Sequence, residues 1–360
     1  MAFAFICLRQ YDKFKGNEFY LVMALLPCFC LFAFRHYDVG VDNVRYAIHI
    51  ENAKYGIENY FLTSKGYFRT EPLSKFISFI SYYWGGIQCY FILTSLVQYV
   101  FIFLLLQKFH KNGLNVAIFF LIFFSVIELR TCTIIRNGLA LSVAFYAYSF
   151  LFEKKQKYFW FFSALAIGFH NSAIINIPIY FICSPIPFQE NRWKIYQNIF
   201  IKIMALLSVA LFIYAMKNGL LSSFITDLAH AKYAHYEMKD SWGLGNLITR
   251  LPFLLFFLFY LKDLKNRYGQ NIAICFYFMI FDLILSMSRY VFSDLERLTQ
   301  YSSFGELVLI SIFYDFIRER VRFPFQFVYF LIVVAYYSWF MYRWAILDHY
   351  GLMPFKFMEF

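Results

Sequence analysis

Apolar runs of about 15 to 26 residues recur from Phe19 to Tyr342, separated by short polar loops that hold Lys or Arg. Runs of that length match the hydrocarbon core of a bilayer. They fall at 19–34, 87–107, 114–128, 137–152, 198–216, 246–261, 272–288, 303–317 and 323–343. A backbone inside lipid must satisfy its own hydrogen bonds, which leaves helices or a closed barrel. Unbroken stretches such as Phe91–Leu106 exclude the alternation of a barrel. The pattern predicts an all-α polytopic membrane protein of about 10–12 transmembrane helices, with residues 1–360 as a single integral membrane domain.

One stretch departs from the pattern. Residues 158–183 are apolar except for His170 and Asn171 at the centre. Both flanking loops are basic, so the segment must leave one side and return to it. Two half-length helices meeting at His170–Asn171, a broken-helix hairpin, satisfy that parity. The alternative is one tilted span with a neutral, internally bonded His170. Met1–Leu8 is apolar but too short to cross, and reads as a half-span or an interfacial segment.

Composition supports the pattern. With 61% hydrophobic and only 15% charged residues, the chain could not hide its apolar surface in a soluble core. The loops near 9–18, 108–113, 153–157, 184–202, 262–271 and 318–322 carry 17 of the 33 Lys and Arg residues, which assigns them to the cytoplasm. Two large loops then face outward, 35–86 and 217–245. The first contains Pro72–Trp84, whose Leu73, Phe76, Ile77 and Ile80 fall at helical spacing and predict an interfacial helix. The net charge of +11 is spread over nearly every loop with no basic arm, which argues against nucleic acid and for contact with the bilayer. The seven cysteines show no CxxC and read as small buried hydrophobes.

The candidate chemistry is outward. Arg35 ends the first long run, and Asp38 and Asp42 follow it four residues apart. Asp42 reads as an N-cap for Asn43–Glu51, a role compatible with catalysis. Glu71 precedes Pro72 at a helix start, where a carboxylate held against an apolar helix can act as acid or base. Arg136 opens the run 137–152, where helix amides and a guanidinium can hold an anion together, unless it snorkels to headgroups. Asp282, Ser286 and Arg289 share one helical face. Asp282 then pairs with an arginine or serves a function. Glu296, Arg297 and Tyr301 precede the run 303–317. Arginine's planar fork suits a diphosphate. The sequence has no DxD, P-loop, GxSxG or HExxH motif, which argues against ATP-driven transport and zinc hydrolysis, and no metal or other cofactor is expected.

In chain order these residues resemble a known family. Val39-Gly40-Val41-Asp42 with Tyr46 is followed by Glu71-Pro72, then by Ile135-Arg136-Asn137-Gly138-Leu139-Ala140. Ala166-Ile167-Gly168-Phe169-His170-Asn171-Ser172-Ala173-Ile174 comes next, then Glu296-Arg297 with Tyr301, and Pro354-Phe355 near the end. The chain resembles the EpsG-like branch of the Wzy-type O-antigen and exopolysaccharide polymerases from about residue 30 onward. It departs at Val41, Asn137 and Phe355, where the family usually has Thr, often Gln and commonly Tyr.

The resemblance implies an enzyme of the bacterial inner membrane with its active site facing the periplasm. It would transfer a growing glycan from undecaprenyl diphosphate to the non-reducing end of a new lipid-linked repeat unit. Its partners would be the undecaprenyl-diphosphate-linked oligosaccharide, the lipid bilayer and a chain-length regulator protein. Arg136 and Arg297 would hold the diphosphate, with Arg289, Arg35 and Tyr301 beside it. His170, or else Asp42 or Glu71, would deprotonate the acceptor hydroxyl. The rival expectation is a flippase for the same lipid-linked oligosaccharide.

Overall fold

The computed structural model describes residues 1–14, 16–57, 60–61, 71–184, 192–217, 253–269, 271–288, 295–320, 323–342, 347 and 355–358. Its helices are α1 (Ala2–Lys13), α2 (Glu18–Ala33), α3 (Asn43–Glu51), α4 (Pro72–Trp84), α5 (Gly86–Lys111), α6 (Val116–Phe123), α7 (Ile135–Phe152) and α8 (Gln156–Phe169). They continue as α9 (Asn176–Cys183), α10 (Arg192–Lys217), α11 (Leu261–Tyr268), α12 (Asn271–Ser288), α13 (Leu295–Ser302), α14 (Phe304–Arg320) and α15 (Phe323–Met341). The regular elements among the described residues are helical throughout, as expected. An isolated antiparallel bridge joins Arg35 to Phe357. Among the described residues, α5 alone is long and apolar enough to cross a membrane, while Glu18–Ala33, Asn171–Cys183, Tyr196–Leu211, Asn271–Ser286 and Gln326–Met341 are shorter apolar helices.

The chain divides into two compact bodies, one of Met1–Ser149, Lys157–Ala173 and Ile310–Phe360, the other of Phe150–Gln156 and Ile174–Leu309. In the first, α2 and α5 pack antiparallel and are fastened at both ends. Gln107 donates to Glu18 at 2.6 Å, and Gln88 donates to the Ala33 carbonyl at 2.5 Å. Pro27 lies inside α2. The loss of one backbone bond there is tolerated where neighbouring helices cover it.

Several loops assigned to one side by their Lys and Arg content meet at one end of this body. His110 lies 3.2 Å from Asp12 and against Tyr11. Asn115 caps α6 through the Ile118 amide and donates to Asp315 at 3.1 Å, while the Ser311 hydroxyl donates to the Asn115 carbonyl. Lys108 reaches Ser149 near the far end of α7. At the opposite ends of α2, α5, α7 and α8 stand Arg35, Gln88, Arg136 and His170.

The helix expected over Pro72–Trp84 is observed as α4, and its buried face carries small polar residues. Ser74, Ser78 and Ser81 are buried with Ile77, whereas Phe76, Tyr83 and Trp84 are exposed. Small side chains let α4 lie close to its neighbours, as small residues do between helices in lipid. Their hydroxyls need no water. Ser78 and Ser81 bond carbonyls one turn back, and Ser74 donates to the Phe169 carbonyl at 2.6 Å. Packing against small polar residues, with aromatics turned out, suits a helix whose outer solvent is acyl chain.

The expected run 114–128 is not one regular helix. After α6 the chain makes a π-helical turn at Phe124–Glu128 and a further turn at Leu129–Thr131. π-turns of this kind often accompany a side chain that must be aimed. The expected break in 158–183 is observed. α8 ends at Phe169, a 3₁₀ turn runs over Asn171–Ile175, and α9 follows.

In the second body, the buried Lys202 ammonium caps α9 by donating to the Ile182 and Ser184 carbonyls at 2.5 and 2.6 Å. α10 turns Tyr196, Phe200, Ile203, Leu207, Leu211 and Tyr214 outward. Ser302 on α13 donates to Asp282 on α12 at 2.7 Å. The loop expected at 217–245 lies outside the described residues from 218 onward, as does Arg289.

Candidate functional site

Three separated stretches of the first body converge on the Glu71 carboxylate. Glu71 occupies the N-cap position of α4, just before Pro72, yet makes no cap bond to its own helix. Its Oε2 instead accepts from the Arg136 guanidinium at the start of α7. Its Oε1 accepts from the Asn171 amide at 3.3 Å and stands 3.8 Å from His170 Nε2. All three side chains are nearly closed off, at 5% exposure for Glu71, 8% for Arg136 and 11% for His170. A charge pair so withdrawn from water interacts more strongly than one at a surface.

The helix break supplies two of these contacts. α8 stops because Asn171 begins the 3₁₀ turn, which leaves the Asn171 amide directed at the carboxylate. His170 is then fixed from its other edge. The Ser172 amide donates to His170 Nδ1 at 3.0 Å, and the Ser172 hydroxyl lies 2.7 Å from the same nitrogen. A backbone amide has only a proton to give, so in the tautomer that accepts it Nδ1 is bare and the ring proton sits on Nε2, the edge facing Glu71. Ser172 also bonds Asn137, the residue after Arg136, at 2.7 Å. That contact ties the histidine turn to the arginine helix.

Tyr46 completes the group. It is buried on α3, and its ring centre lies 5.8 Å from the Arg136 guanidinium and 5.6 Å from the ring of Tyr90 on α5. α3 is held here by its preceding turn, in which the buried Asn43 amide donates to the Val39 carbonyl.

A second buried carboxylate lies beneath the start of α7. Gln98 of α5 donates to both oxygens of Glu128 and to the Thr131 hydroxyl, each at 3.0 Å. Thr131 in turn donates to the Glu128 carbonyl at 2.7 Å. The π-helical turn aims Glu128 inward at Gln98.

Of the residues expected at the site, Glu71, Arg136 and His170 are brought together. Asp42 stands at the N-cap position of α3, but its side chain does not cap; it pairs with Arg45 at 3.4 Å, one turn along. The arginine offers a charged partner where the helix offers only neutral amides, which corrects the capping expectation. Arg35 is fully buried, 4.1 Å from the centre of the Phe91 ring, and donates to the Phe32 carbonyl at 2.6 Å. The backbone around it bonds Lys356 and Met358, so it anchors the C-terminal segment. Arg297 (half-buried) and Tyr301 (fully buried) belong to α13 of the second body. Sequence reasoning assigned no role to Asn137, Ser172 or Tyr46. All three lie within the quoted motifs, which was the available signal.

The sequence model of the EpsG family matches residues 18–357. The chain belongs to the EpsG family. No curated protein and no solved structure matches it. EpsG proteins are membrane proteins of a glycosyltransferase-like, polysaccharide-polymerase type.

Proposed function

We propose that this EpsG-family protein polymerises lipid-linked oligosaccharide repeat units of an O-antigen or related surface polysaccharide. It acts at the periplasmic face of the bacterial inner membrane as a polytopic protein of about 10–12 transmembrane helices. The growing glycan leaves undecaprenyl diphosphate and joins the non-reducing end of the next lipid-linked unit. A chain-length regulator is the expected protein partner.

The observation that carries this reading is the convergence of Arg136, the Asn171 amide and His170 Nε2 on one carboxylate. Each is a hydrogen-bond donor, and together they form a preorganised seat for anionic oxygen. A leaving diphosphate develops such charge as the sugar–phosphate bond breaks. A guanidinium fork and an imidazole edge meet that charge without a metal. The family resemblance alone assigns Arg297, Arg289 and Tyr301 to diphosphate binding. The acceptor hydroxyl needs a base, and Glu71 and His170 are the titratable pair at the seat. Asp42 is engaged with Arg45, and Arg35 serves the fold.

The test is complementation of a strain lacking the gene, read as a surface-polysaccharide ladder. Wild type restores the ladder; R136A, R297A and H170A at matched expression leave lipid carrying one repeat unit. A normal ladder from R136A overturns the diphosphate assignment. A deletion strain with no surface repeat and with lipid-linked units accumulating inside identifies a flippase instead.

A further inference from the structure

We propose that the Glu71 carboxylate occupies the seat of the donor's diphosphate, and that the arriving diphosphate displaces it toward the acceptor hydroxyl. The inference rests on the diphosphate reading above and adds an order of events to it. A carboxylate at an N-cap position ordinarily bonds the first-turn amides of its own helix. Glu71 forgoes them and spends both oxygens on α7 and on the turn after α8. The groups it meets are those that hold phosphate: a guanidinium fork, a backbone amide opening a turn, and an imidazole N–H. Two carboxylate oxygens and two phosphate oxygens present nearly the same face to such a fork. The seat is therefore filled by an internal stand-in.

The exchange is favourable because the incoming group carries more charge than the outgoing one. A diphosphate ester bears at least two negative charges, against one on Glu71, and both compete for the same donors. Once displaced, the carboxylate no longer shares its lone pairs with Arg136 and Asn171. It becomes a stronger base at the moment the donor is seated. The transfer then balances. The acceptor hydroxyl gives its proton to Glu71, its oxygen forms the new bond to the anomeric carbon, and the bond from that carbon to the phosphate oxygen breaks. The electron pair leaves with undecaprenyl diphosphate, whose charge Arg136, Asn171 and His170 Nε2–H receive. With no donor bound, the base is tied down, which guards against premature deprotonation.

The experiment uses the full-length protein in detergent with inorganic pyrophosphate as the probe. Glu71→Gln keeps the shape and removes the competing charge, so pyrophosphate binds about tenfold more tightly than to wild type, the scale of one charge-assisted hydrogen bond withdrawn from competition. In wild-type protein, added pyrophosphate raises carbodiimide labelling of Glu71, read by peptide mass spectrometry; this arm decides alone should the variant not fold. Unchanged or weaker binding by a folded Glu71→Gln, or labelling that does not rise, overturns the displacement. The diphosphate reading survives that result as long as Arg136→Ala loses binding. Binding retained by Arg136→Ala overturns both.

Discussion

Gly138 lies flush against Thr131: a Cβ in place of its hydrogen would stand 2.5 Å from the Thr131 Cβ. Two turns of chain are pressed together there, one receiving Gln98 and the other beginning just before Arg136. The obstacle is a Cβ fixed to backbone, so it cannot rotate away. Gly138→Ala should cost about 1–3 kcal/mol, as overpacking does, and shift the Arg136 end of α7. Thr131→Ser should not relieve it, because serine keeps the Cβ, whereas Thr131→Gly should recover part of the loss. A double-mutant cycle on melting temperature in detergent checks the coupling.

Gly168 makes a similar approach to Leu73, with an opposite expected outcome. The atoms that a Cβ would meet are Leu73 Cδ1 and Cγ, at 2.7 and 2.9 Å, on a side chain able to change rotamer. Gly168→Ala should therefore cost about 1 kcal/mol or less and leave a polysaccharide ladder. A lost ladder at normal protein levels would show that α4 and α8 tolerate no adjustment beside Glu71.

Gln98 is the neutral partner of a buried carboxyl group. Gln98→Ala removes the donor to both oxygens of Glu128 and should destabilise the protein by about 1–3 kcal/mol. Adding Glu128→Gln to that variant removes the stranded carboxyl group and should restore stability. Thermal melts of the two single variants and the double variant test it; an additive loss would count against the pairing.

Ser172 positions His170 without facing the carboxylate. Ser172→Ala keeps the backbone amide on Nδ1 but loses the hydroxyl contact and the link to Asn137. Polymer formation should slow about tenfold, the usual scale for a support of a reacting group, while melting temperature stays near wild type. Ser172→Thr should recover most of the rate. A rate unchanged by Ser172→Ala would leave the Ser172 amide as the whole of the restraint.

Much of the helix layout was legible because apolar runs end where charge begins. The expected runs 19–34 and 272–288 differ by no more than one residue from the termini of α2 and α12. The break at His170–Asn171 was legible for the same reason, a polar pair inside an apolar stretch. The π-helical turn was not, since Phe124–Glu128 has the composition of any helix end. Gln98 was hidden as well, because it sits within the run 87–107 and its partners come from another helix. At the site, Glu71 was visible from Pro72 beside it, but its pairing with Arg136 spans 65 residues and leaves no local spacing to read. Arg35 carried the chemical signature of an anion ligand; only the fold shows that Phe91 and the C-terminal segment claim it.

α5 also serves as a ruler. Tyr90, which stacks near the Tyr46 ring beside Arg136, and His110, which meets Asp12 among the basic loops, are twenty residues apart on this one continuous helix. At 1.5 Å per residue that is about 30 Å, the thickness of a bilayer's hydrocarbon layer. Were the basic loops moored at one headgroup plane, the proposed diphosphate seat would stand level with the other. A polyprenyl carrier could then deliver its phosphates sideways, its tail never leaving the acyl chains and its sugars never leaving water. Elongation at such a depth would demand no lifting of the lipid between rounds, only sliding.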